Sequence, residues 1–249
     1  MILFFTVEKG ATMKRKLGVI GGMGPEATSY FFEEFVAHTK ADKDQEHIDT
    51  IILNHATLPD RSKAILTGNV EELLNALIQD AQLLEKLGVS HIAIPCNTSH
   101  YWYEAIQKEI SIPIIHMVRE TIKYALTHFG QVQKIGVLAT TGTIQTGIYH
   151  RECETLGVEA VVPSEENQNA IMSLIYEEIK KGQPGDYTKF QKAYEDLIEA
   201  GSDVVILACT ELSVFKKSNK IGKNCLDAMD VLVKESITRS NAVYQKKEV

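Results

Sequence analysis

Two cysteines stand out because each directly follows a short apolar run and precedes a threonine that opens a polar stretch. The first lies in Ile92-Ala93-Ile94-Pro95-Cys96-Asn97-Thr98, the second in Val204-Val205-Ile206-Leu207-Ala208-Cys209-Thr210-Glu211. Both runs are short and rich in β-branched residues, as buried parallel strands are. Each thiol is therefore expected at a strand's carboxyl end, where open α/β sheets place their ligand crevices. A free thiol ionises near pH ~8.5 and a helix N-terminus can lower that value, so one of two facing cysteines can wait as thiolate while the other keeps its proton. Two such thiols meeting across one crevice suggest proton chemistry. A lone cysteine is more simply read as a small core hydrophobe. The shared strand-end position and the following threonine argue for a site instead, and Cys153 and Cys225, which lack that context, read as packing residues.

Other residues could serve the same crevice. Gly22-Met23-Gly24-Pro25-Glu26-Ala27 fits a G-x-G-x-x-A dinucleotide fingerprint between a strand and a helix. The next strand, however, ends at Asn54-His55 rather than in a ribose-binding acid, and later than the usual spacing of about 20 residues. The same loop, with Pro25 at the first helical position, offers backbone N–H groups to a small carboxylate. Thr140-Thr141-Gly142-Thr143 could add hydroxyl and amide donors, or be no more than a capped turn. Asn97, Thr98 and Thr210 follow the cysteines at helix starts, where main-chain donors are free. The eight histidines have no metal-ligand spacing, and no metal is expected.

The elements that must position these groups alternate between strand-like and helical patterns, the signature of βαβ units around parallel sheets. Strands are expected over 17–20, 50–54, 91–94 and 112–115, with helices over 27–36, 70–87 and 101–110. A second series has strands over 135–138, 160–162 and 204–207, with helices over 148–156, 170–181 and 187–200. Each series opens with a strand and a glycine-containing loop and reaches its cysteine on a later strand. The fold expected is α/β, with two pseudo-symmetric lobes, each a parallel sheet flanked by helices, and the thiols facing each other across the interlobe cleft. Residues 14–112 plus 226–249 are assigned to the first lobe, through return of a last helix over 231–237, and residues 113–225 to the second.

A chain of 249 residues buries a sizeable core without metal or disulfide support. Its formal charge of −7 and its lack of a basic stripe exclude a nucleic-acid surface and favour a small-molecule ligand. Four cysteines without framework spacing fit a reducing compartment, the cytoplasm. No transmembrane stretch is present, and the apolar opening is too short for a signal peptide. Met13 reads as an alternative start, which would make residues 1–12 a dispensable or disordered extension.

The chain resembles the cofactor-independent aspartate/glutamate racemase superfamily, and within it the aspartate racemases. The resemblance rests on Gly21-Gly22-Met23-Gly24-Pro25, Asp44-Gln45-Glu46-His47, Pro59-Asp60-Arg61, Pro95-Cys96-Asn97-Thr98, Leu138-Ala139-Thr140-Thr141-Gly142-Thr143, Cys209-Thr210-Glu211 and Asp227-Ala228-Met229-Asp230. It implies a homodimer, no pyridoxal phosphate, and Cys96 and Cys209 as opposed acid and base inverting the α-carbon of an amino acid. It implies further that Arg61 and Lys180 hold a side-chain carboxylate, and that Met23, Asn97, Thr98, Thr140, Thr141, Thr143, Thr210 and Glu211 belong to the substrate site. Interconversion of L- and D-aspartate is the activity expected, with glutamate or a broader range of amino acids as the alternative. Ala208, Ala228 and His55 stand where the family more often has Gly, Pro and Asn, and His55 bears on aspartate preference. A two-lobed binding or transport protein is the non-enzyme alternative, since it would need the cleft but not two convergent thiols.

Overall fold

The computed structural model describes residues 13–246; the expectation for residues 1–12 lies outside them. The first half runs β1 (Leu17–Gly21), α1 (Pro25–His38), β2 (Thr50–Asn54), α2 (Arg61–Thr67), α3 (Glu71–Lys86), β3 (His91–Ala93), α4 (Tyr103–Gln107) and α5 (Met117–His128). The second runs β4 (Lys134–Leu138), α6 (Thr141–Gln145), α7 (Ile148–Thr155), β5 (Glu159–Val161), α8 (Glu165–Ser173), α9 (Tyr187–Glu199), β6 (Val204–Leu207), α10 (Thr210–Lys216), β7 (Cys225–Asp227) and α11 (Ala228–Arg239).

Both sheets are parallel, ordered β2-β1-β3 and β5-β4-β6-β7. A parallel bridge from Ile92 to Ile114 stands where β7 stands in the second sheet, so the two orders correspond. The expected strand over 112–115 is reduced to that bridge because Pro113 has no N–H to give, while the neighbouring amides of Ser111 and Ile112 bond to Glu85. Strand β7 carries the second sheet to Asp227, two residues past the expected lobe boundary.

Successive residues of a strand point to opposite faces, and here the faces go to different cores. Leu17 and Val19 of β1, Ile135 and Val137 of β4, and Val204 and Ile206 of β6 enter one shared core, with Phe31, Val118, Tyr149 and Leu232 among the helix residues. The alternate residues enter private cores: Ile20 packs with Leu73, Leu77 and Leu84, and Val205 and Leu207 pack with Phe190, Leu197 and Leu212. The shared apolar core joins the two sheets and thereby fixes their strand ends against one cleft. Helix α11 packs on both α1 and α5.

Candidate active site

Cys209 follows β6 directly and is the N-cap of α10, with an extended backbone at φ −143°. Cys96 follows β3 at the start of a turn that winds through a 3-10 segment, Thr98–Trp102. Both are buried, each 6% exposed. They line one cleft, with an empty volume of about 300 Å³. Met23, Arg61, Asn97, Thr98, Thr140, Lys180, Thr210 and Glu211 line it too. The structure thus brings ten of the twelve expected residues together around one space.

Thr141 and Thr143 are not on the wall. Thr143 stands one layer behind, its hydroxyl 2.7 Å from that of Thr98 and 3.1 Å from that of Thr140. Ser62 donates to Thr140 Oγ1 at 3.0 Å, so hydroxyls of the first lobe, Ser62 and Thr98, interlock with those of the second. Thr140 also caps α6 by accepting from the Thr143 amide. The Thr141 amide faces Met172, and its hydroxyl accepts from Gln168, which turns it away from the cleft.

The glycine loop contributes Met23 rather than a cradle of amides. The Gly22 amide donates to Thr28 Oγ1, which in turn donates to the Gly24 carbonyl, each at 2.9 Å. Gly22 has φ +88°, and a Cβ there would lie 2.4 Å from the His55 backbone. Glycine is thus required for a left-handed turn and for close packing on the strand after it. His55 itself pairs with Asp80 at 2.9 Å and does not line the cleft.

Arg61 opens α2, held there by Asp60, which caps the helix by accepting from the Lys63 amide. Its guanidinium lies beside Cys96, one nitrogen donates to the Pro59 carbonyl at 3.2 Å, and Nε is buried without a partner. Burial would lower its pKa, but Cys96, Asp60 and Glu211 around it outweigh that and raise it. Lys180 reaches the cleft from a 3-10 turn, Ile179–Lys181, that follows a π-helical turn, Leu174–Glu178. Its Nζ donates to Glu211 Oε1 at 2.6 Å. The Cys209 thiol donates to the other oxygen, Glu211 Oε2, at 2.9 Å.

This chain of contacts sets the protonation pattern. Burial, and then the Glu211 carboxylate, push the Cys209 thiol well above its ordinary value, with Lys180 pulling the other way. Burial would raise Glu211, yet Lys180 and the Cys209 hydrogen bond hold it below the usual carboxylate range. Burial and the Glu211 carboxylate together keep the proton on the Cys209 sulfur. Cys153 and Cys225 lie off the cleft, and burial pushes each up to about 12.

The wall also includes Asp60, Ser62, Tyr176 and Ala208. Tyr176 precedes Lys180 by one helical turn, its ring 5.3 Å from Lys180 Nζ, and its hydroxyl donates across the cleft to Asp60 at 3.1 Å. The i, i+4 spacing to Lys180 was a usable signal for Tyr176. Ser62 carries none beyond adjacency to Arg61.

Comparison with known proteins bears on this geometry. Residues 20–236 match the family described as Asp/Glu/Hydantoin racemase. The chain is 32% identical over 228 residues to the "Broad specificity amino-acid racemase RacX" of Bacillus subtilis, covering 89% of this chain and 96% of that one. A glutamate racemase of Aquifex pyrophilus is 28% identical over 151 residues, 60% of this chain and 57% of its own. The structure of Picrophilus torridus aspartate racemase superposes with a TM-score of 0.74 at 28% identity, covering 93% of this chain and 96% of that one. Two matching parallel sheets, a cysteine at the same strand end of each, and a family match over most of the length agree: the chain belongs to the Asp/Glu/hydantoin racemase family.

Proposed function

We propose that this amino-acid racemase interconverts L- and D-aspartate by proton transfer between Cys96 and Cys209, without a cofactor. The observation that carries the reading is the convergence of both strand-end thiols, Arg61 and Lys180 on one cleft. In one direction a Cys96 thiolate, beside the Arg61 guanidinium, takes the α-proton, and Cys209 delivers its own to the opposite face. Cys209 is then left as thiolate next to Glu211, and Lys180 offsets the paired negative charges. In the other direction the roles exchange. The α-proton of an amino acid is a very weak acid, so fixed donors around the substrate α-carboxylate must stabilise the carbanion-like transition state. Asn97, Thr98 and Thr210, which line the cleft, are the donors assigned to that carboxylate in this reading. Arg61, whose Nε is buried and unpartnered, takes the distal carboxylate. The active form is a cytoplasmic homodimer, its first lobe formed by residues 14–112 with the last helix.

A second reading is a broader substrate range. Lys180 is already paired with Glu211 at 2.6 Å, which leaves Arg61 as the cation with a spare buried donor. The similarity to a racemase named for broad specificity points the same way.

A panel of L- and D-amino acids incubated without cofactor and resolved by chiral chromatography tests both. Aspartate should be turned over fastest, Cys96→Ala and Cys209→Ala should each abolish net racemisation, and Cys153→Ala and Cys225→Ala should leave it near the parental rate. Activity that requires added pyridoxal phosphate, or a strand-end alanine variant active in both directions, would refute the mechanism. Arg61→Lys keeps the charge but loses the planar fork, so kcat/KM for aspartate should fall at least tenfold, with a smaller loss on any neutral substrate.

A further inference from the structure

Asn97 lines the cleft and is only 2% exposed, and the two ends of its side-chain amide differ. Oδ1 accepts a 2.7 Å hydrogen bond from the hydroxyl of Tyr149, while Nδ2 is buried without a partner. Tyr149 lies on α7, and Asn97 follows β3, so the bond crosses from the second lobe to the first. The tyrosine ring is held in the shared core with Val137, Ile148, Cys153 and Ala208 among its members. No second hydrogen-bond partner of its hydroxyl occurs among the described residues.

We infer that Tyr149 is a positioning residue, whose hydroxyl fixes the Asn97 amide so that Nδ2 faces the cleft as a donor to a carboxylate of the amino-acid substrate. Asparagine amides can flip, and the hydrogen-bond inventory decides between the two orientations. With the amide reversed, Nδ2 would donate to the tyrosine oxygen and the phenolic proton would be left without an acceptor in an apolar core. Oδ1 would then face the cleft and repel a carboxylate. In the empty cleft either orientation leaves one donor unmet, but with a carboxylate bound only the observed one satisfies both the phenolic proton and Nδ2, which favours it by about fivefold or more. Because the two partners belong to different lobes, this donor is oriented when the lobes are packed together. Family membership as an amino-acid racemase underlies the inference; the choice of aspartate does not.

The test is Tyr149→Phe, which keeps the ring and removes one hydroxyl, assayed on whichever amino acid the parent turns over fastest. KM should rise about tenfold with kcat changed far less, the signature of lost ground-state and transition-state binding alike. In an Asn97→Ala background the same substitution should change KM less than twofold, since its effect runs through Asn97. A parental KM in Tyr149→Phe, or an equal rise with and without Asn97, would overturn the inference. If Tyr149→Phe fails to fold, Asn97→Asp serves, because it still accepts from Tyr149 but replaces the donor with an acceptor. A tenfold rise in KM with an unchanged melting temperature supports the inference, and an unchanged KM overturns it. Should the fastest substrate prove not to be aspartate, the specificity reading fails while this test proceeds on that substrate.

Discussion

Replacing Glu211 by Gln removes the negative charge that holds the Cys209 proton and leaves the shape of the cleft nearly intact. The carboxylate lies 2.9 Å from Cys209 Sγ and 2.6 Å from Lys180 Nζ. At an effective dielectric of about 20, two unit charges at the first distance repel by about 6 kcal/mol, an upper bound because the amide and nearby groups relax. The substitution also frees Lys180 to pair with a Cys209 thiolate, an effect of the same sign. Even a quarter of the bound corresponds to about one pKa unit at ~1.4 kcal/mol per unit. The apparent pKa of Cys209 should therefore fall by at least about one unit in Glu211→Gln. Iodoacetamide alkylation rates measured across pH, with peptide mass spectrometry separating Cys209 from the other thiols, read this directly. A Cys209 curve that moves by less than about 0.3 unit, or moves upward, would show that burial alone holds the proton and that Glu211 has no electrostatic part in it.

The thiols were legible because strand ends leave a strong local mark: β-branched runs stop at Ala93 and Leu207, and a polar stretch containing a threonine follows. The duplicated succession of strand, glycine-containing loop and cysteine-bearing strand was legible for the same reason, whereas the strand order within each sheet was not. Helix α5 escaped because its buried stripe, Met117, Val118, Thr121, Ile122 and Ala125, contains a threonine whose hydroxyl bonds back to the Met117 carbonyl, and because its cap is His116. Helix α2 is short, and only its Asp60 cap and Gly68 stop signal it. The helix expected over 170–181 is in fact α8 followed by π-helical and 3-10 turns, a change of winding that aims Lys180 at Glu211. Nothing in local pattern separates Thr140, on the wall, from Thr143, behind it. That difference is set by Ser62 and Thr98 arriving from the other lobe. Contacts between lobes, which convert a list of polar residues into a site, are the part that periodicity and motif spacing do not encode.

Two further perturbations test the packing. A Cβ added at Gly142 would lie 2.6 Å from Ser62 Cα at the contact of α6 with α2, so Gly142→Ala should cost about 1–3 kcal/mol of unfolding free energy in urea. A loss below about 0.5 kcal/mol would mean that the two lobes slide apart freely at that point. The other concerns acid. Burial pushes His91 down to about 4, and its Nδ1 is buried without a partner. An unfolded histidine ionises near pH ~6.5, so on acidification the unfolded chain takes up a proton that the folded chain refuses, and stability falls. Between pH 7 and pH 5 this one group should account for a loss of about 2 kcal/mol. Asp230, raised to about 6 by burial and by Asp227, works in the opposite direction over the same range, because its folded form binds a proton before the unfolded one does. The measurement must therefore compare two proteins as well as two pH values. The stability lost by the parent from pH 7 to pH 5 should exceed that lost by His91→Gln by about 2 kcal/mol. Equal losses in parent and variant would mean that His91 accepts its proton in the folded state, and that the burial around it does not exclude the charge.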